Sequence, residues 1–138
     1  MLGNRYKVLH KLGHGGYANV WLCRDASSSC YVAVKIIMAD GSHPNCPEKR
    51  VNRLLAADLS SELIQYFCLP LEEFIISGPN GIHFALVYPA LGPRISNLLH
   101  LLDSDYVLDL GSTLRTMALH ATKAMAILHS HSICHGGI

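Results

Sequence analysis

No stretch of this chain approaches the roughly 18 consecutive apolar residues that a membrane-spanning helix requires. Position 2 is Leu rather than the Gly of an acylation signal, and the opening MLGNRYKVLHKLG alternates polar and apolar residues where a secretory leader carries an apolar block. These absences predict a protein that is neither exported nor anchored in a membrane. Paired cysteines are lacking too. Cys23, Cys30, Cys46, Cys68 and Cys134 are odd in number and show no C-x-x-C spacing, which predicts reduced thiols in an intracellular protein of the cytoplasm or nucleus. Charge is scarce: 15% of the residues are Asp, Glu, Lys or Arg, against about a quarter in ordinary domains. The net charge of +1 supplies no basic field for direct contact with nucleic acid or an anionic membrane. What is abundant is apolar surface, with hydrophobic residues making up 50% of the chain and a mean hydropathy of +0.25, so part of the core is expected to stand exposed.

The chemistry-bearing stretch runs from Leu12 to Lys35. Gly13, Gly15 and Gly16 lie where an upstream apolar run (Tyr6, Val8, Leu9, Leu12) reverses into Val20-Trp21-Leu22. Glycines there permit positive φ and let backbone N–H groups come close to a bound anion, although a hairpin turn with spare glycines gives the same pattern. About fifteen residues on, Val32-Ala33-Val34-Lys35 reads as a buried strand ending in a cation. A Walker loop is excluded, since its lysine follows the glycines directly and opens a helix.

Periodicity predicts strands over Tyr6 to Leu12, Asn19 to Asp25 and Tyr31 to Met38, the last two joined by the polar turn Ser27-Ser28-Ser29. Asp40 to Pro47 reads as loop. A helix then begins at Pro47, with Glu48 in its first turn and an apolar stripe of Val51, Leu54, Leu55 and Leu59. Leu71 to Ser77 and Ile82 to Tyr88 read as two more strands about the Gly78-Pro79-Asn80-Gly81 turn. After Gly92-Pro93, Ile95 to Leu102 reads as a short helix and Ser112 to Ser130 as a long one, whose stripe is Leu114, Met117, Ala118, Ala121, Met125 and Leu128.

Taken together, these segments resemble the protein kinases. Gly13-His14-Gly15-Gly16-Tyr17-Ala18-Asn19-Val20 is similar to the kinase glycine-rich loop, with Ala18 in place of its third glycine, and Val32-Ala33-Val34-Lys35 to the V-A-I-K segment of the third strand. Val20-Trp21-Leu22-Cys23-Arg24-Asp25 and Gly78-Pro79-Asn80-Gly81-Ile82-His83 resemble the fungal relatives of the SR-protein kinases, Ser/Thr kinases that act on Arg/Ser-rich proteins. The resemblance implies an α+β fold: a kinase-like N-lobe of five antiparallel strands and one helix over residues 1–91, with glycine-rich loop and hinge, then a helical stub of the C-lobe over 92–138. It implies ATP as ligand, covered by Leu12, Gly13, Gly15 and Gly16. Val20 and Ala33 would flank adenine, Lys35 would meet the α/β-phosphates and Glu48 would orient Lys35. Tyr88 would be the gatekeeper, and Pro89 and Leu91 would hold adenine through hinge backbone groups. Glu48 has a second reading, as a first-turn carboxylate serving only the helix dipole.

The resemblance also implies a fragment, since kinase domains are roughly twice as long. His135 matches the histidine of the catalytic-loop H-R-D, but Gly137 falls on the aspartate that accepts the substrate proton, so no catalytic residue is intact. The Mg²⁺-holding Asn and Asp of the family would come after Ile138. A non-catalytic, pseudokinase-like nucleotide-binding or interaction module is therefore the alternative to an ATP-binding portion of a Ser/Thr kinase. His129, His131, Cys134 and His135 cluster without the spacing of a zinc module, and no metal is expected there. Lys49, Arg50 and Arg53 form a small basic helix face, expected to be solvated rather than to dock a phosphate.

Overall fold

The computed structural model describes residues 1–58, 60–95, 97 and 110–134. They fall into two compact units, Met1–Asp58 with Cys68–Leu91, and Leu59–Phe67 with Gly92–Ile138.

The first unit is a five-stranded antiparallel sheet, β1 (Tyr6–His14), β2 (Ala18–Asp25), β3 (Tyr31–Ile37), β4 (Glu72–Gly78) and β5 (Gly81–Pro89), in the order β1-β2-β3-β5-β4. One helix, α1 (Pro47–Asp58), follows β3. The five strands and this helix are the elements expected from periodicity, with ends shifted by at most two residues. The segment expected as plain loop after β3 opens with a single 3-10 turn over Ala39–Gly41. Gly78 pairs with Gly81 across Pro79-Asn80, and Gly81 takes φ +116°, a value that favours glycine.

Strand alternation gives the sheet two different faces. On one, Tyr6, Cys23, Val32, Val34, Ala85 and Val87 form a buried cluster, with Trp21, Ile36, Phe74 and Ile76 packed against it. β1 and β4 are opposite edges of the strand order, yet Tyr6 stacks on Phe74 with ring centroids 5.6 Å apart, so the sheet curls around this cluster. The N-terminal turn fits beneath: Gly3 has φ +53°, and a Cβ there would lie 2.9 Å from the Phe74 ring. On the other face Ile37, Leu86 and Cys46 form a smaller cluster with Phe84 and Tyr88 against it.

Helix α1 starts as the sequence predicts, with Arg50 N–H donating to Cys46 O at 3.1 Å and Pro47 at the first helical position, where its missing N–H costs nothing. Its apolar stripe is narrower than expected. Leu55 is buried, Val51 is half-buried, Leu54 is exposed, and Leu59 lies outside the described residues. The reason is that Glu48 and Asn52, one turn apart, bond to strand residues Lys35 and Tyr88, so much of the helix is held by polar groups.

The second unit contains α2 (Ser61–Ile64) and α3 (Leu110–Ser130). Tyr66 meets His120 edge-on at 5.2 Å, and Lys123 Nζ donates to the Tyr66 hydroxyl at 3.4 Å, which ties the segment before β4 to α3. α3 begins two residues earlier than expected and ends in a tight cap. Ser132 adopts φ +58°, its N–H donates to His129 O at 3.0 Å, and Ile133 N–H donates to Leu128 O at 2.9 Å. Of the expected stripe Leu128 is buried, Met117 and Met125 are half-buried, and Leu114, Ala118 and Ala121 are exposed. The short helix expected over Ile95 to Leu102 lies, apart from Ile95 and Asn97, outside the described residues.

Candidate functional site

Register decides which side chains share a face. Val20 pairs with Lys35, and Lys35 with Leu86; Leu22 pairs with Ala33, and Ala33 with Tyr88. Directly opposite residues point to one side, so Val20, Ala33, Lys35 and Tyr88 project from the α1 face, in line with Gly13, the partner of Val20 across β1. The hairpin that carries the glycines is closed by Gly15 N–H donating to Ala18 O at 2.9 Å, and Met38 N–H donates to Tyr17 O at 2.9 Å.

The glycines behave differently from the expectation of positive φ. None of Gly13, Gly15 and Gly16 lies in the left-handed region, and a Cβ built on any of them meets nothing within 4 Å. The chain's own packing therefore does not demand glycine at these positions. The space beside them is room that a ligand close to the backbone could use.

Lys35 Nζ donates to both oxygens of Glu48, at 2.8 Å to Oε1 and 2.7 Å to Oε2, with the two side chains 32% and 30% exposed. This pairing gives Glu48 a partner beyond the helix dipole. A third group, which the sequence did not reveal, joins them: the Tyr88 hydroxyl donates to Glu48 Oε1 at 2.7 Å and accepts from Asn52 Nδ2 at 3.5 Å. Burial pushes the Tyr88 phenol well above its ordinary value, and the bond to Glu48 adds to the shift, so the hydroxyl remains a donor at any ordinary pH. The available signal was the spacing of Glu48 and Asn52 at i and i+4, which puts both on one side of α1.

Leu12 is exposed in β1. Pro89 ends β5 opposite Val32, and Leu91 is exposed just beyond it. His135 and Gly137 lie outside the described residues. Among the described residues no three His, Cys, Asp or Glu side chains gather as metal ligands, and the His131 ring contacts Ile127 O at 2.8 Å through Nδ1. All five cysteines are free thiols; Cys23 and Cys46 are buried.

The basic helix face is less solvated than its composition suggests. Lys49 pairs with Glu73 of β4 at 2.9 Å and lies 4.2 Å from the centre of the Phe84 ring, and Arg53 reaches the same carboxylate at 3.8 Å. A hollow of about 340 Å³ is lined by Lys49, Glu73, Phe74 and Ile75. It includes none of Val20, Ala33 and Lys35 and is separate from the site.

No protein-family model matches the chain. A serine/threonine protein kinase of Aspergillus fumigatus is 35% identical over 97 residues, which cover 70% of this chain and 24% of that protein. The serine/threonine-protein kinase SKY1 of Saccharomyces cerevisiae is 34% identical over 101 residues, covering 69% of this chain and 14% of its own length. SRSF protein kinase 3 of Mus musculus is 30% identical over 98 residues, covering 69% and 17%. The chain thus spans a quarter or less of the curated relatives it matches. A solved kinase-domain structure superposes with a TM-score of 0.65 at 18% identity, over 95% of this chain and 37% of that one, which speaks to the fold alone. Sequence and fold agree: the chain is a homologue of the SRSF- and SKY1-type serine/threonine protein kinases and matches part of a kinase domain.

Proposed function

We propose that this chain is the ATP-binding portion of a Ser/Thr protein kinase domain, with residues 1–91 as N-lobe and hinge and residues 92–138 as the start of the C-lobe. Adenine docks between Val20 and Ala33, beneath Leu12, and against hinge backbone groups of Pro89 and Leu91 beside Tyr88. Gly13, Gly15 and Gly16 let the loop backbone approach the phosphates, Lys35 meets the α- and β-phosphates, and Glu48 orients Lys35. The observation that carries this reading is the two-bond Lys35–Glu48 pair, standing on the face shared by Val20 and Ala33. The open space over the three glycines fits the same ligand. The test is a calorimetric titration with ATP, ADP and adenosine. Affinity no tighter than roughly 0.1–1 mM, or about 4–5.5 kcal/mol, is expected. Failure of all three to bind overturns the reading.

Gly137 favours a second reading for the chain as a catalyst. Glycine has no side chain to accept the proton of a substrate hydroxyl, and loss of a general base typically slows a reaction by about 10²–10⁴. A nucleotide-binding module without phosphotransfer is the result. Phosphorylation of an Arg/Ser-rich peptide by the purified 138-residue chain, abolished by Lys35→Ala, would refute it. The relatives' names support Arg/Ser-rich proteins as substrates of a longer kinase, and the free thiols support a reducing compartment, cytoplasm or nucleus.

A further inference from the structure

We propose that Tyr88 is a positioning residue: its hydroxyl, donating to Glu48 Oε1 at 2.7 Å and steadied by Asn52 Nδ2 at 3.5 Å, fixes the Glu48 carboxylate so that both its oxygens serve Lys35. A pair with both side chains about a third exposed holds weakly by itself, because two long side chains lose rotamer freedom for a screened attraction. Glu48 has little helix ahead of it to restrain it, since Pro47 is the first helical residue. Tyr88 supplies the missing restraint. Its ring has only two rotatable bonds, stands on β5 directly opposite Ala33 and packs against the Ile37–Cys46–Leu86 cluster. A hydroxyl on so fixed a ring defines a point in space, and a bond of it to Oε1 removes the carboxylate's freedom to swing out to water. Asn52 lies one turn along α1 from Glu48, so the same phenol grips the helix at two successive turns. The helix is thereby set on the sheet at the depth where Lys35 reaches both oxygens.

The inference concerns the apo protein first and bears on ATP only through the nucleotide reading above. The experiment keeps the two apart. The full chain, carried on a solubility partner, is pulsed with an amine-acylating reagent, and the yield at Lys35 is read by peptide mass spectrometry with exposed Lys7 as the internal standard. An ammonium held by two bonds to a carboxylate reacts slowly. Tyr88→Phe keeps the ring and removes the hydroxyl; it is expected to raise Lys35 acylation roughly 3–10-fold, the net worth of one ordinary hydrogen bond at a part-exposed site, with Lys7 unchanged. Glu48→Gln raises it further, and Asn52→Ala raises it about twofold, in keeping with its longer bond. A rise with Glu48→Gln but none with Tyr88→Phe overturns the inference, as does no rise with either. Should Tyr88→Phe unfold the chain by circular dichroism, the absence of any rise with Asn52→Ala overturns it. In parallel, Tyr88→Phe is expected to weaken ATP more than adenosine, since only ATP carries phosphates for Lys35 to meet. If acylation rises but neither ligand binds wild type, the nucleotide reading fails and the positioning role stands.

Discussion

Two charged clusters occupy opposite faces of the same sheet and are built on opposite plans. At one, Arg5 donates to both oxygens of Asp25 at 2.7 Å, and the carboxylate also takes the Ser27 N–H and the hydroxyls of Ser27 and Ser28. Arg5 continues to Glu72 at 2.6 Å, where the Tyr6 hydroxyl donates at 2.8 Å. Asp25 is 3% exposed, and Arg5 with its hydrogen bonds holds the carboxyl far below the usual range. At the other, Lys35 and Glu48 are bonded to each other yet remain about a third exposed. An ammonium has three donors, and among the described residues two of them are used, both on Glu48. The difference teaches which cluster is structural. A carboxylate saturated by its own chain has no capacity left for a ligand and serves to tie β1, β2 and β4 together; a pair with solvent access and a spare donor can take part in binding.

The strongest way to break this contrast is Asp25→Ala, which takes the acceptor from two donors of Arg5 and three of the serines together, leaving Arg5 only Glu72. It is expected to lower the urea midpoint more than any other substitution named here, without altering nucleotide selectivity. Acid should act alike: a depressed carboxyl contributes stability present above its unfolded value, about pH 4, and lost as pH falls below it. A midpoint independent of pH from 5 to 2 would contradict this. Next in size, Lys35→Ala should weaken ATP and ADP roughly tenfold, as expected for a charge contact at about 4 Å in wet surroundings, while leaving adenosine unaffected. Equal losses for all three would mean that Lys35 acts through the fold, and the contrast would collapse.

Alkaline pH sharpens it from the other side. Burial and the bond to Glu72 push the Tyr6 phenol up to about 12, so its contribution is complete below pH 10 and lost as pH rises through the folded value. That loss amounts to roughly 1–2 kcal/mol after allowance for solvent screening, and Tyr6→Phe should flatten the alkaline limb arising from this group. The smallest effects belong to the glycine loop. Gly15→Ala and Gly16→Ala should change stability by no more than about 0.5 kcal/mol, because a Cβ meets nothing there, yet should weaken ATP measurably. A large fall in thermal midpoint for either would show that the fold, not a ligand, requires glycine.

The amino-acid sequence by itself determined the strands, because alternation and turn chemistry are local, and the helix start, because Pro47 and Glu48 signal it within three residues. It pointed to Lys35 and Glu48 through resemblance. It could not reveal that Tyr6 closes the sheet on Phe74, that Arg5 spans from Asp25 to Glu72, or that Lys49 is taken up by Glu73. Each of these joins residues 20 to 68 positions apart, and pairing at such separation is set by sheet curl and helix placement, which no local pattern encodes. The Tyr88 hydroxyl is the sharpest case. Its residue type was legible, but its partner was decided only when register put β5 beside β3 and α1 brought Glu48 over both.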